Sequence, residues 1–187
     1  MKISSLKLES VFLTIGLFLN SFNISSQDIK LSRQEKKEAK RDIELFNFQV
    51  LDTIIENKSF ILEADFLQNE YGGKIQVLPN LNFIKVESSN GVIQTGSISN
   101  MGYNGVGGTT AEGSIRGMKI VKNLKELSFY LRFTIVSDIG IYDVSMTIYS
   151  DRSAMATVTG LTRGKLVYDG RIENIYNSGF YKGNPSI

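Results

Sequence analysis

The hydrophobic period of this chain changes at Ser59, and that change limits what it can fold into. Upstream, "SRQEKKEAKRDIELFNFQVLDTIIENK" (Ser32–Lys58) places Ala39, Ile43, Phe46, Val50 and Ile54 at spacings of three and four, with Phe48, Leu51 and Ile55 as an adjoining stripe. Such spacing marks one broad apolar face of an α-helix. Downstream, apolar residues recur at every second position, the signature of half-buried strands. A chain that makes one helix and then only short strands is confined to a β-layer architecture with the helix packed on it.

The helix has a start signal. Ser32 followed by Glu35 is a capping-box pattern, and no Gly or Pro interrupts the run behind it. Its first turns carry Arg33, Lys36, Lys37, Lys40 and Arg41 among Glu35, Glu38 and Asp42. Cations near a helix N-terminus oppose the macrodipole, so helix stability does not account for them. A solvated face does, and so would a weak tether to an anionic surface.

The strand region opens with "FILEADFLQ", which puts Phe60, Leu62, Ala64 and Phe66 on one side. "KIQVL", "LNFIKVES", "NGVIQTGS", "EGSIRGMKIVK", "LSFYLRFTIVS", "GIYDVSMTIYS", "MATVTGL" and "KLVYDGRIEN" follow, with turn residues between them. Asn90-Gly91 is a tight-hairpin dipeptide, and "SDRS" (Ser150–Ser153) reads as a hairpin turn. The pattern predicts about nine or ten strands meandering antiparallel. The expected fold is α+β: an N-terminal amphipathic helix packed on a mostly antiparallel β-sandwich or open β-barrel. The divisions are 1–26, 27–58 for the charged helix and 59–187 for the β domain.

Residues 1–26 read as a signal peptide. Lys2 and Lys7 precede "VFLTIGLFL" (Val11–Leu19), and the small residues Ser25 and Ser26 follow. The apolar run is far short of the roughly 20 residues a spanning helix needs. Cleavage near Ser26 and Gln27 would leave a mature net charge of about +1, against +2 for the whole chain. That balance argues against a nucleic-acid partner. The expected location is periplasmic or secreted, and not as a lipoprotein.

The chain has no Cys and no His. Thiolate nucleophiles, Ser-His-Asp triads and imidazole or thiolate metal sites are therefore excluded. No catalytic or metal-ligating set is expected, and no cofactor. Carboxylate chemistry survives as an option, with Glu112, Asp138 and Asp143 as its candidates.

"MGYNGVGGTTAEG" (Met101–Gly113) is the densest glycine stretch. It lacks the Walker pattern, and Thr110 stands where a dinucleotide fingerprint needs its third Gly. "TTAEGSIRG" has strand composition, so no helix follows to hold a phosphate. The stretch is expected to turn or bend the sheet, or to line the mouth of a sheet or barrel. Met101, Tyr103 and Asn104 are the candidate contacts at its tip. Glu112 and Arg116, four apart, share a strand face and either bind a polar group together or pair with each other.

"KSFILEADFLQNEYG", "LNFIKVESSNGVIQTGS", "MGYNGVGGTTAEGSI", "IGIYDVSMTI" and "TGLTRGKLVYDGRI" occur here in that order. With the signal and the charged helix, they resemble the exported Bacteroidetes domain-of-unknown-function 4251 family, from about Gln27 to the C-terminus. The resemblance implies export to a Bacteroidetes periplasm and implies no activity. Two roles remain open beside a carboxylate-dependent hydrolase. One is a non-catalytic binding or accessory protein for a small apolar or amphipathic ligand, held in a lipocalin-like cavity if the β layer encloses one. The other is a structural or interaction protein in an envelope assembly.

Overall fold

A computed structural model describes residues 32–97, 106–160 and 164–186. The signal-peptide expectation for 1–26 lies outside them. Residues Ser32–Lys36 hold the opening turn of the helix, and Lys37 onward forms a second compact unit.

Helix α1 spans Arg33–Glu56. The capping box forms: Glu35 N–H donates to Ser32 Oγ at 3.2 Å, and Ser32 N–H donates to Glu35 Oε2 at 2.6 Å. These bonds hold the Glu35 carboxyl below its usual range, the backbone bond first. The buried face is narrower than its sequence suggests. Phe48, Leu51 and Ile55 enter the core, with Ile54 packed beside them. Ile43 and Phe46, from the longer stripe, are 60% and 64% exposed. Successive residues turn about 100° around the axis, so a contact centred on Phe48, Leu51 and Ile55 leaves the Ile43–Phe46 stripe to one side.

Among the described residues nine strands follow: β1 (Ser59–Gln68), β2 (Lys74–Gln76), β3 (Phe83–Glu87), β4 (Asn90–Gln94), β5 (Thr110–Asn123), β6 (Ser128–Ser137), β7 (Gly140–Tyr149), β8 (Ser153–Thr159) and β9 (Lys165–Asn174). A 3₁₀ turn at Ile175–Asn177 closes the series. Every ladder is antiparallel, and β3 to β9 pair in chain order. Strand β1 pairs with β3 on one side and with β9 on the other, which closes β1 and β3–β9 into an eight-stranded barrel. The short β2 extends the β3 side of β1 at Phe66–Gln68.

The interior is filled by side chains. Phe60, Leu62, Phe133, Tyr142, Met146 and Tyr168, all essentially inaccessible, belong to one continuous core that includes the helix residues. Interiors of small barrels pack this way. The helix meets the barrel where β5 ends and β6 begins. Lys122 lies 2.7 Å from Asp52 Oδ1 and 2.5 Å from Glu56 Oε1 there.

Among the described residues, two bulges break the period of two. One falls between Ala64 and Phe66 in β1. Phe60, Leu62 and Ala64 face inward as expected, but the shifted register brings Leu67 inward and leaves Phe66 on the outer wall, 36% exposed. The other falls in β5, where Gly117 and Met118 intervene between the pairs Arg116↔Thr134 and Lys119↔Arg132. Gly117 adopts a φ of +62°, the left-handed region that a glycine enters without strain.

Candidate functional site

The outer face of β1, β3 and β4 is apolar at Ile61, Phe83 and Val92, and all three are buried. The C-terminal segment, 178–186, covers them. Phe180 packs edge-on against Phe83 with ring centroids 5.3 Å apart. Buried Gln94 ties this strap down. Its Nε2 donates to the carbonyls of Leu81 and Tyr181, and its Oε1 accepts from Thr110 Oγ1 at 3.0 Å and Gly183 N–H at 2.8 Å. Ser178 Oγ donates to Glu63. The strap therefore accounts for this apolar wall, and no ligand is needed to cover it.

A depression opens at the end of the barrel away from the helix. It has a volume of about 570 Å³, and its apolar wall comes from Leu67 at the end of β1 with Ile75, Val77 and Leu78 of the β2–β3 segment. Thr95, Gly96, Ser97 and Gly107 form the other side. Asn82, wholly buried, braces the rim: its Nδ2 donates to the carbonyls of Leu78 and Gly96, and its Oδ1 accepts from Gly96 N–H at 2.9 Å. Among the described residues, the lining holds no carboxylate, cation or tyrosine. The described lining suits an apolar body with a few polar contacts.

The glycine stretch behaves as sheet punctuation where it is described. Gly107 has a φ of +80°, and a Cβ on Gly108 would lie 2.2 Å from the Thr95 carbonyl oxygen. Strand β5 follows, with no helix N-terminus for an anion. Met101, Tyr103 and Asn104 lie outside the described residues. Glu112 and Arg116 do share the outer face of β5, but they do not pair. Both Glu112 carboxylate oxygens accept from Lys182 Nζ, at 2.9 and 2.8 Å, so Glu112 anchors the strap. Arg116 stands exposed beside the bulge. The other carboxylates named in the sequence are scattered: Asp143 accepts from Thr134 Oγ1 at 2.6 Å, and Asp138 is exposed in the β6–β7 turn.

A family model described as a domain of unknown function, DUF4251, matches residues 42–172. The chain belongs to this family. A crystal structure of a DUF4251 family protein from Bacteroides eggerthii DSM 20697 is similar, with a TM-score of 0.59 and 21% identity over 71% of this chain and 91% of that one. At that identity the likeness concerns the fold alone. No curated protein matches the chain. The family match ends at Ile172, so the DUF4251 region comprises most of the helix and the barrel, and the strap lies beyond it.

The rim residues Val77, Leu78 and Asn82 were not legible as a site. They flank Pro79-Asn80, which in sequence reads only as a strand separator. Asn82 meets Gly96 just beyond the Phe83↔Gln94 pair of the β3–β4 hairpin, and hydrophobic spacing does not mark that meeting as a site.

Proposed function

We propose that this protein is an exported, non-catalytic binding or accessory protein of the periplasm, holding a small apolar or amphipathic ligand at the barrel rim. The observation that carries the reading is the 570 Å³ depression walled by Leu67, Ile75, Val77 and Leu78, with amide and hydroxyl groups beside them among the described residues. The filled interior moves the ligand from the centre of the barrel, where a lipocalin would hold it, to the rim. The basic and apolar character of Lys2–Leu19 supports export.

Native mass spectrometry of protein purified from its own periplasm tests the reading, together with titration of the neutral fluorophore N-phenyl-1-naphthylamine. A retained ligand, and fluorophore binding abolished by Val77→Arg, are expected. Recovery of the protein only from the cytoplasm overturns export. Fluorophore binding indifferent to Val77→Arg overturns the site.

A second reading, an interaction protein of an envelope assembly, is favoured by one observation. Ile43 and Phe46 present an exposed apolar stripe on α1 that the barrel does not use. Co-purification of a partner lost on Phe46→Ser, without a small ligand, would favour it.

A further inference from the structure

The outer wall of β5–β8 carries an arrangement that folding alone does not explain. Lys119 of β5 and Arg132 of β6 are direct cross-strand partners. Like charges placed directly opposite one another destabilise a sheet. Arg116 stands on the same side one step away, paired with Thr134. Residues 116 and 119 would face opposite sides of a regular strand; the Gly117–Met118 bulge turns both outward. All three cations are exposed, and none forms an ion pair with a described carboxylate. Two outward acids share this wall: Glu112 is held by Lys182, and Asp143, two strands from Arg116 in the row Arg116–Thr134–Asp143–Thr159, accepts from Thr134.

The register extends the cationic pair into a row. Arg132 pairs with Ser145, and Ser145 with Thr157, giving Lys119–Arg132–Ser145–Thr157 across four strands. A second row runs alongside: Val121–Tyr130–Thr147–Met155. Val121, Tyr130 and Met155 are 58%, 46% and 48% exposed. One row offers charge and hydroxyl groups. The other offers an aromatic face and apolar area.

From this geometry we infer that the β5–β8 wall binds an acidic polysaccharide. Its carboxylate or sulfate groups pair with Arg116, Lys119 and Arg132, its hydroxyls bond to Ser145 and Thr157, and a sugar face stacks on Tyr130. The rows curve over four of eight barrel strands, which a flexible chain can follow and a planar bilayer cannot. An extended peptide would seek a free strand edge, and β5 to β8 each have two neighbours already. This surface is separate from the rim depression, so the two readings stand or fall independently.

Affinity electrophoresis of the full protein tests the inference, in gels containing polygalacturonate, with neutral dextran as the control. Retardation by polygalacturonate alone is expected, weakening as salt is added. The double variant Lys119→Gln/Arg132→Gln should bind about tenfold or more weakly. Arg132→Thr should bind less and melt no lower than the wild type, because it removes a like-charge pair. Val77→Arg should leave retardation unchanged. Absence of retardation, retardation unaffected in the double variant, or tighter binding of the protein to phosphatidylglycerol vesicles or polyglutamate would each overturn it.

Discussion

The Phe48 ring of α1 lies face to face with the Phe129 ring of β6, with centroids 4.4 Å apart and planes 13° from parallel. This stack joins the helix to the barrel core, and both rings are buried. Phe48→Ala removes the stack and leaves a void that the barrel end cannot refill. A loss of about 3–5 kcal/mol is expected, read from urea unfolding followed by circular dichroism. Phe46→Ala, two residues away on the exposed stripe, should change stability by less than about 0.5 kcal/mol.

Lys122 gives the same junction a pH dependence. Its hydrogen bonds to Asp52, and then to Glu56, raise its pKa above the ordinary lysine value. A group raised on folding contributes stability fully below its unfolded value and loses that contribution as pH rises through the folded one. The lysine's contribution should therefore be constant across neutral pH and fall as pH rises on the alkaline side. Thermal melts from pH 7 to pH 12 should show the wild type above Lys122→Met at neutral pH, with the gap narrowing above about pH 10.4. Burial of the Tyr168 phenol also raises its pKa, but that effect is common to both proteins and cancels in the difference.

Glycines of β5 should differ sharply in tolerance. A Cβ on Gly113 would lie 1.9 Å from the Val136 carbonyl oxygen, which is backbone and cannot step aside. Gly113→Ala should fail to fold or lose more than about 3 kcal/mol. Nothing lies within 4 Å of a Cβ on Gly117, and only its positive φ opposes substitution. Gly117→Ala should cost about 1–2 kcal/mol. Soluble yield and guanidinium midpoints distinguish the two.

Gln94 should be needed to hold the strap. Gln94→Leu removes the acceptor of Gly183 N–H and the donor to the Leu81 and Tyr181 carbonyls. Each buried group so orphaned costs about 1–3 kcal/mol unless the strap lifts away. Lifting would expose Ile61, Phe83 and Val92. Limited proteolysis should then release the C-terminal segment from Gln94→Leu at protease levels that leave the wild type intact.

Local features were legible in proportion to how local their causes are. The helix expected over Ser32–Lys58 forms over Arg33–Glu56, and the turn read in Ser150–Ser153 joins β7 to β8. Asn90-Gly91 is a partial miss. The hairpin turns at Ser88-Ser89, and Asn90 and Gly91 already pair with Glu87 and Val86. Gly91 is glycine because the Ile135 and Ile115 side chains occupy the space where its Cβ would stand. The bulge at Ala64–Phe66 put Phe66 outside, where its spacing had placed it inward, because a period of two has no way to announce an inserted residue. The rim depression, the β1–β9 ladder and the strap all join residues far apart in the chain. Their partners cannot be found from hydrophobic spacing.

The ladder between Phe60–Gln68 and Val167–Asn174 makes the first long strand wait for the last. While the chain is being made, β1 offers an unsatisfied row of amides and carbonyls on its β9 side, and β8 gains another as soon as it forms. Neither row can be quenched within the molecule until Lys165–Asn174 has been synthesised. Any truncation short of β9 should therefore leave two adhesive borders, and such fragments should associate with one another where the complete chain does not.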